Sequence, residues 1–247
     1  MKIPSLSAAA LKRLTEFDTP TICNVIELFD VRPRNTGYMD GRIRACFPEM
    51  PAIAGYASTA TFRGAFARPE GTAYASLDEQ LRTFEELPGP AIVVFQDQDD
   101  PPVAATFGEI MCASYQAFGA AGLITSGAAR DLDQVRRLGF PAFSNGAICS
   151  HGYSSIPAVN VPVRVGGVAV FPGTLLHADA NGVTTIPHEI ATEVAQVAAD
   201  YVAAEAIILD YLKTGERDTA RYAEVRRACL ASIADLGRRV GARGAGA

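Results

Sequence analysis

An α/β fold is predicted for this chain, and three features of the sequence predict it. Short apolar runs suited to strands lie at 55–62, 91–95, 123–125, 142–143, 161–165, 168–171 and 183–186. Between several of them the apolar spacing switches to the 3.6-residue period of a helix. Glycine or proline marks most of the junctions. Short strands alternating with helices in one chain give an α/β domain of at least six strands. A helical pattern at each end brackets it.

At the N-terminus, residues 7–29 have helical spacing broken at Pro20. Thr19 before Pro20 predicts an N-cap followed by proline in the first turn, and so a second helix through Ile22, Val25, Ile26 and Phe29. Residues 32–51, rich in proline, glycine and arginine, predict an irregular connection. The run 107–118 predicts a helix ended by Gly119 and Gly122, and 131–138 predicts a short helix closed by Gly139. Gly166 and Gly167 split two short strands. After Pro187 the series Ile190, Val194, Val197, Tyr201, Ala204 and Ile208 predicts a long helix closed by Gly215. Asp218 is placed to cap a last helix through Tyr222, Val225, Cys229, Ile233 and Leu236, with a frayed tail expected from Arg238 onward.

Composition excludes several classes. The chain has 247 residues, of which 49% are hydrophobic, enough for a core without covalent staples. Net charge is −5, and the 19 arginines and three lysines form no basic stripe, which argues against a nucleic-acid partner. Five widely spaced cysteines with no CxxC pair point to free thiols and a cytoplasmic setting. No apolar run approaches the roughly 20 residues of a membrane span, so no membrane partner is expected. GxGxxG, GxxxxGK[ST] and GxSxG motifs are absent. The lysines, Lys2, Lys12 and Lys213, lie near the ends, which disfavours Schiff-base chemistry. His151, His177 and His188 lack metal-ligand spacing. Cys149 and His151 share a face of an extended chain, but no third group is evident to orient them.

The stretch GEIMCASYQAFGAAGLITSGAARDLDQVRRLG, 108–139, carries the candidate chemistry. It places Glu109 at one helix start, and Arg130 and Asp131 at the start of the next. Carboxylate oxygens there suit magnesium or manganese, and a guanidinium suits a bidentate grip on a substrate carboxylate.

Glu109, then twenty residues, then Arg130-Asp131 resembles the D-x20-R-D signature of the 4-hydroxy-4-methyl-2-oxoglutarate aldolase family, also called RraA-like. The segment GFPAF at 139–143, the run VPV followed by Gly166-Gly167, the segment PGTLLHADANGVTTIP at 172–187 and the early TPTICNVI are similar to that family as well. The resemblance covers roughly residues 15–215. It implies a family domain over 1–215, with 216–247 as a helical extension and tail. It further implies a layered β/β/α domain of the swivelling type, assembled as a homotrimer or a dimer of trimers with the active site at the subunit interface. By matching positions, Asp131 and Glu109 would hold a divalent cation, Mg²⁺ foremost and Mn²⁺ next. Arg130 would hold the substrate carboxylate and the developing enolate oxygen. The backbone of Gly108, Ile110 and Met111 would cradle the pyruvate carboxylate, and Glu205 would reach a neighbouring subunit's site as a further metal ligand. The activity implied is cleavage of a 4-hydroxy-2-oxo acid to pyruvate and a second oxo compound, with oxaloacetate decarboxylation on the side. The family also contains non-catalytic regulators of ribonuclease machinery, and related lyases on other sugar or hydroxy acids are a further alternative. This chain departs from the pattern at Glu109, which replaces Asp, and at Thr174, which replaces the Asp of PGD. Ser126 stands where many relatives have Asp.

Overall fold

A computed structural model describes residues 3–67 and 77–244. In chain order the elements begin with helices α1 (Ala8–Leu14) and α2 (Thr19–Glu27), strands β1 (Arg44–Ala45) and β2 (Ile53–Phe62), and helix α3 (Leu77–Thr83). Strands β3 (Ala91–Asp97) and β4 (Ala105–Phe107) lead to helix α4 (Glu109–Ala117). Strands β5 (Ala120–Thr125) and β6 (Ala128–Ala129) lead to helix α5 (Leu132–Leu138). Strands β7 (Ala142–Ser144), β8 (Val163–Val165), β9 (Val168–Val170), β10 (Leu175–Asp179) and β11 (Gly182–Ile186) follow. Helices α6 (Ala191–Lys213) and α7 (Thr219–Gly244) end the chain.

The main sheet runs β1-β7-β5-β3-β2-β10-β11. Its centre, β7-β5-β3-β2, is parallel, and β1, β10 and β11 add antiparallel edges. A parallel centre must be covered on both faces, which explains why every residue of β2 is buried. The two faces separate by the two-residue period of β3. Val93 and Phe95, with Phe62 and Leu123, pack under α4 and α5 through Met111, Tyr115 and Val135. Ile92 and Val94, with Ile124 and Leu176, pack against the β8–β9 hairpin through Val163, Val165 and Val170. A helical layer, the large sheet and a small second sheet result. This is the layered β/β/α arrangement, with helices at both termini.

The terminal helices share one core. Leu14, Ile22, Val194, Ala198, Leu236 and Val240 are buried together against Tyr56, Leu175 and Ile186 at the β2–β10–β11 end of the sheet. One expectation changes here. The tail from Arg238 is helical as far as Gly244, because Ile233, Leu236 and Val240 extend the apolar stripe onto α6, and Asp200 pairs with Arg239; residues 245–247 lie outside the described residues. The last helix is thus covered within its own chain, and Asp218 does cap it, accepting from the Ala220 amide at 2.8 Å.

At the N-terminus the cap of α2 is Asp18, not Thr19. Asp18 Oδ1 accepts from the Thr21 amide at 2.8 Å, with Pro20 in the first turn. Thr19 is drawn away into a buried network. Its hydroxyl meets His177 Nδ1 at 2.9 Å, and its amide donates to Asp179 Oδ2 at 3.0 Å. Strand β10, which carries His177 and Asp179, and the short strands β1, β4 and β6 are not evident in the sequence pattern. Gly122 lies inside β5 and does not end α4.

His177 is fully buried, and its Nε2 faces the Leu14 carbonyl at 3.1 Å. A carbonyl only accepts, so Nε2 carries the proton and Nδ1 accepts from Thr19. The histidine is a neutral pin between α1, α2 and β10. Burial pushes its pKa below the ordinary 6.5, against opposing pulls from the Leu14 carbonyl and Asp179. The unfolded chain gains a proton as pH falls through about 6.5 while the folded ring resists it, so this stability is present above that pH and lost below it. Denaturant titrations between pH 7 and pH 5 are therefore expected to show stability falling with pH. The fall should be shallower in His177→Gln by at most about 1.4 kcal/mol per pH unit, the slope of one proton. Identical pH slopes in the two proteins would contradict a buried neutral role.

Candidate active site

Strands β4 and β6 pair in parallel beyond the ends of the main sheet, with Ala105 opposite Ala128 and Phe107 opposite Ala129. The Arg130 amide donates to the Phe107 carbonyl at 3.1 Å, which extends this ladder by one step. Each strand then runs straight into a helix. Gly108 is the N-cap of α4, and Asp131 is the N-cap of α5. Residues about twenty positions apart are thus brought together by the pairing of two very short strands.

Asp131 adopts the left-handed conformation, φ 54° and ψ 38°, one that Asp tolerates better than most residues. It makes no capping bond to its own helix. Its Oδ2 instead accepts from the Glu109 amide at 3.1 Å, at the start of the other helix. Arg130 Nε lies 3.8 Å from the same oxygen, and both side chains are about 30% exposed, at 27% and 32%. Gly108 is what permits this approach. A Cβ there would stand 2.4 Å from Asp131 Oδ2 and 3.0 Å from Arg130 Nε.

The first intrahelical bond of α4 runs from the Cys112 amide to the Gly108 carbonyl. Asp131 takes the Glu109 amide, and no acceptor among the described residues takes the amides of Ile110 or Met111. Two free N–H groups at the positive end of a helix, beside a guanidinium, form an anion-binding corner. Met111 is buried, whereas Glu109 and Ile110 are exposed, so the corner opens on the surface.

Arg130, Asp131, Gly108 and the amides of Glu109, Ile110 and Met111 thus meet in one place. Glu205 does not join them within the chain. It lies on α6, where burial raises its carboxyl pKa and the charge of Asp18 adds to the rise; Tyr201 and Cys229 are its other electrostatic neighbours. Among the described residues no three His, Cys, Asp or Glu side chains are gathered closely enough to share a cation. The two other departures from the family pattern have local roles. Ser126 Oγ accepts from the Asp97 amide at 2.9 Å, and Thr174 Oγ1 accepts from the Phe171 amide at 3.0 Å. Cys149 is exposed, and His188 bonds the Gly173 carbonyl.

A family model described as aldolase/RraA matches residues 19–185, which include the whole of this site. The chain belongs to the RraA-like family. A relative from Halalkalibacterium halodurans, provisionally named 4-hydroxy-4-methyl-2-oxoglutarate aldolase, is 36% identical over 105 residues, 42% of this chain. That match spans only 49% of the relative's own length. A Xanthomonas campestris protein with the same provisional name is 30% identical over 158 residues, 61% of this chain and 92% of its own. Two solved structures share the fold. One is an uncharacterized Pseudomonas syringae protein (TM-score 0.71, 22% identity), covering 92% of this chain and 97% of its own. The other is Streptomyces coelicolor RraAS2, described as an unusual member of the RNase ES inhibitor RraA protein family (TM-score 0.65, 24% identity), covering 82% and 96%.

The role of Gly108 is invisible in a spacing motif, because a close approach is a tertiary fact. Gly108→Ala is expected to push Asp131 off the Glu109 amide and to cost about 1–3 kcal/mol, the usual range for a forced steric shift. Chemical denaturation measures the cost, and a crystal structure of the variant shows the shift. Wild-type stability with Asp131 unmoved would contradict the steric reading.

Proposed function

We propose that this RraA-like chain is a divalent-metal-dependent lyase that cleaves a 4-hydroxy-2-oxo acid to pyruvate and a second oxo compound, and decarboxylates oxaloacetate as a side activity. The observation that supports it most is the convergence of Arg130 and Asp131 on the start of α4, where Asp131 takes the Glu109 amide and the next two amides stay free. The lyase unit is assigned to residues 1–215, with 216–247 as its helical extension and tail.

The donor set suits a hard cation that keeps most of its water. Magnesium is typically held by one or two carboxylates plus substrate oxygens, and no third protein ligand is required. Asp131 and Glu109 are the residues that would hold it, and manganese suits the same oxygens. When bound, such a cation supplies Lewis acidity that draws electrons toward the substrate's 2-oxo oxygen. The chain's own groups do the rest. The amides of Ile110 and Met111 orient the carboxylate, as helix N-termini do for anions. Arg130 holds the oxygen on which negative charge grows. A carboxylate at Glu109 or Asp131 accepts the proton of the 4-hydroxyl. The C3–C4 bonding pair then moves into the enolate of pyruvate, and the second oxo compound leaves. Protonation at C3 completes the pyruvate. Loss of carbon dioxide from oxaloacetate leaves the same enolate.

The corner is open in one chain, so we further assign a homotrimer or dimer of trimers in which a neighbouring subunit closes the site, with Glu205 reaching across. Glu109 is longer than the Asp of the signature by one methylene, on the order of 1.5 Å, which shifts where a cation and its water sit. The regulator alternative has less support, since Glu109 keeps a carboxylate at the position where that type resembles a version without one. No described helix is long and apolar enough to cross a membrane.

Pyruvate release from oxaloacetate and from 4-hydroxy-4-methyl-2-oxoglutarate tests the reading. Turnover is expected with magnesium and not with a chelator. Arg130→Ala is expected to lower kcat by about 10²–10³, the usual cost of one oxyanion donor. Turnover undiminished by chelation, or none with either acid, would refute the proposal.

A further inference from the structure

A second polar cavity lies at the carboxyl ends of the parallel strands, where open α/β sheets place their ligands. Its volume is about 360 Å³, at the lower end of the range for small-molecule sites. Asp97 at the end of β3, Ser126 just beyond β5 and Asn145 just beyond β7 form one wall, and Arg164 of β8 forms another.

Two groups in this cavity lack partners. Asp97 is 8% exposed, and its Oδ2 is the one buried side-chain nitrogen or oxygen with no hydrogen-bond partner among the described residues. Leaving a buried carboxylate oxygen unpaired is costly. Its other oxygen accepts from the Asp99 amide at 3.0 Å. Burial pushes this carboxyl up to about 6; the Asp99 amide opposes the rise, and the charges of Asp99 and Asp100 add to it. The second group is the Arg164 guanidinium. Arg42, also on the cavity, is held by both oxygens of Asp40, but Arg164 has no ion pair among the described residues. An exposed guanidinium with no ion pair is open to a carboxylate, and a carboxyl with a single bond has lone pairs left for a donor.

We propose that this cavity is a second binding site, for a small carboxylic acid that carries a hydroxyl group. The ligand's carboxylate sits on Arg164 and its hydroxyl between Asp97 and Ser126. A hydroxyl fits better than an ammonium, because an ammonium donates and never accepts. Ser126 Oγ already accepts from the Asp97 amide, so its proton is free to be donated. A ligand hydroxyl takes that proton and gives its own to Asp97. Oδ2 stays inward beside Gly127, so the hydroxyl meets the carboxyl through Oδ1, whose bond from the Asp99 amide leaves a second lone pair.

The site is separate from the Arg130 corner yet shares its frame. Gly127 follows Ser126, and a Cβ there would stand 2.2 Å from Thr106 Oγ1 and 2.5 Å from Asp97 Oδ2. Thr106 is the middle residue of β4 and Gly127 immediately precedes β6, and the far end of this ladder carries Gly108 and Arg130. Ser126 and Arg130 are at most about 14 Å apart along the chain.

Titration calorimetry of the full chain with L-malate tests the assignment. Succinate and L-aspartate serve as probes of the same skeleton, one lacking the hydroxyl and the other carrying an ammonium in its place. Malate is expected to bind about tenfold or more tightly than either. Arg164→Gln, at an exposed side chain, and Asp97→Asn should each weaken malate by about tenfold or more, and the same losses should persist in an Arg130→Ala background, where the first corner can no longer hold a carboxylate. No malate binding in the Arg130→Ala background, equal affinity for succinate or aspartate, or unchanged affinity in either cavity variant would overturn the proposal. Because different variants report on the two sites, failure here is distinguishable from failure of the lyase reading.

Discussion

The hydrogen bond from the Glu109 amide to Asp131 Oδ2 ties the start of one helix to the start of another, and the candidate site is organised around it. A carboxylate at a helix N-terminus is favourable in itself, since it satisfies an amide that the helix cannot. Here that carboxylate comes from a neighbouring helix, so the same contact fixes the relative placement of α4 and α5. It uses one amide and leaves the next two free. It also sets the Arg130 guanidinium alongside, because Arg130 and Asp131 are consecutive. Free amides, a guanidinium and a carboxylate thereby stand at one corner, at the position where Gly108 provides no side chain to intervene.

That contact is maintained by what lies beneath it. The β4–β6 ladder is too short to be stable alone, and it rests on the ends of β3 and β5, whose two faces are both covered. Phe107 and Ala129 contribute to the same buried cluster as Met111 and Val135, so the ladder and both helices are packed as one unit. The terminal helices make a separate core at the other end of the sheet, pinned by His177 and Thr19. The Arg130 corner and the terminal bundle thus depend on one sheet. This division accounts for a long C-terminal helix that adds stability to the bundle without entering the Arg130 corner.

Much of the fold was legible in the residues because period and punctuation are local properties. The continuous apolar run 91–95 marks β3 as a strand covered on both faces, and the stripe from Ile190 to Ile208 gives α6 before any coordinate is known. Strands of two or three residues are too short to show a period. For that reason β1, β4 and β6 went unseen, although β4 and β6 assemble the site. Leu175–Asp179 was hidden by polar His177 and Asp179, which are buried because they bond to Thr19 and Leu14 across the fold.

The sequence by itself determined the residue types of the corner. Glu109, Arg130 and Asp131 stand at helix starts because of the glycines and strand runs around them, and their spacing carried the family resemblance. Tertiary structure decided which of these groups meet. It put Asp131 on the Glu109 amide, left the amides of Ile110 and Met111 open, and kept Glu205 on another face. It also decided that Asp97 and Arg164, with no motif linking them, face one cavity. The physical reason is the same in each case. Conformational preference is set by neighbours along the chain, whereas a close approach between side chains is set by strand pairing and packing that bring distant residues within a few ångströms.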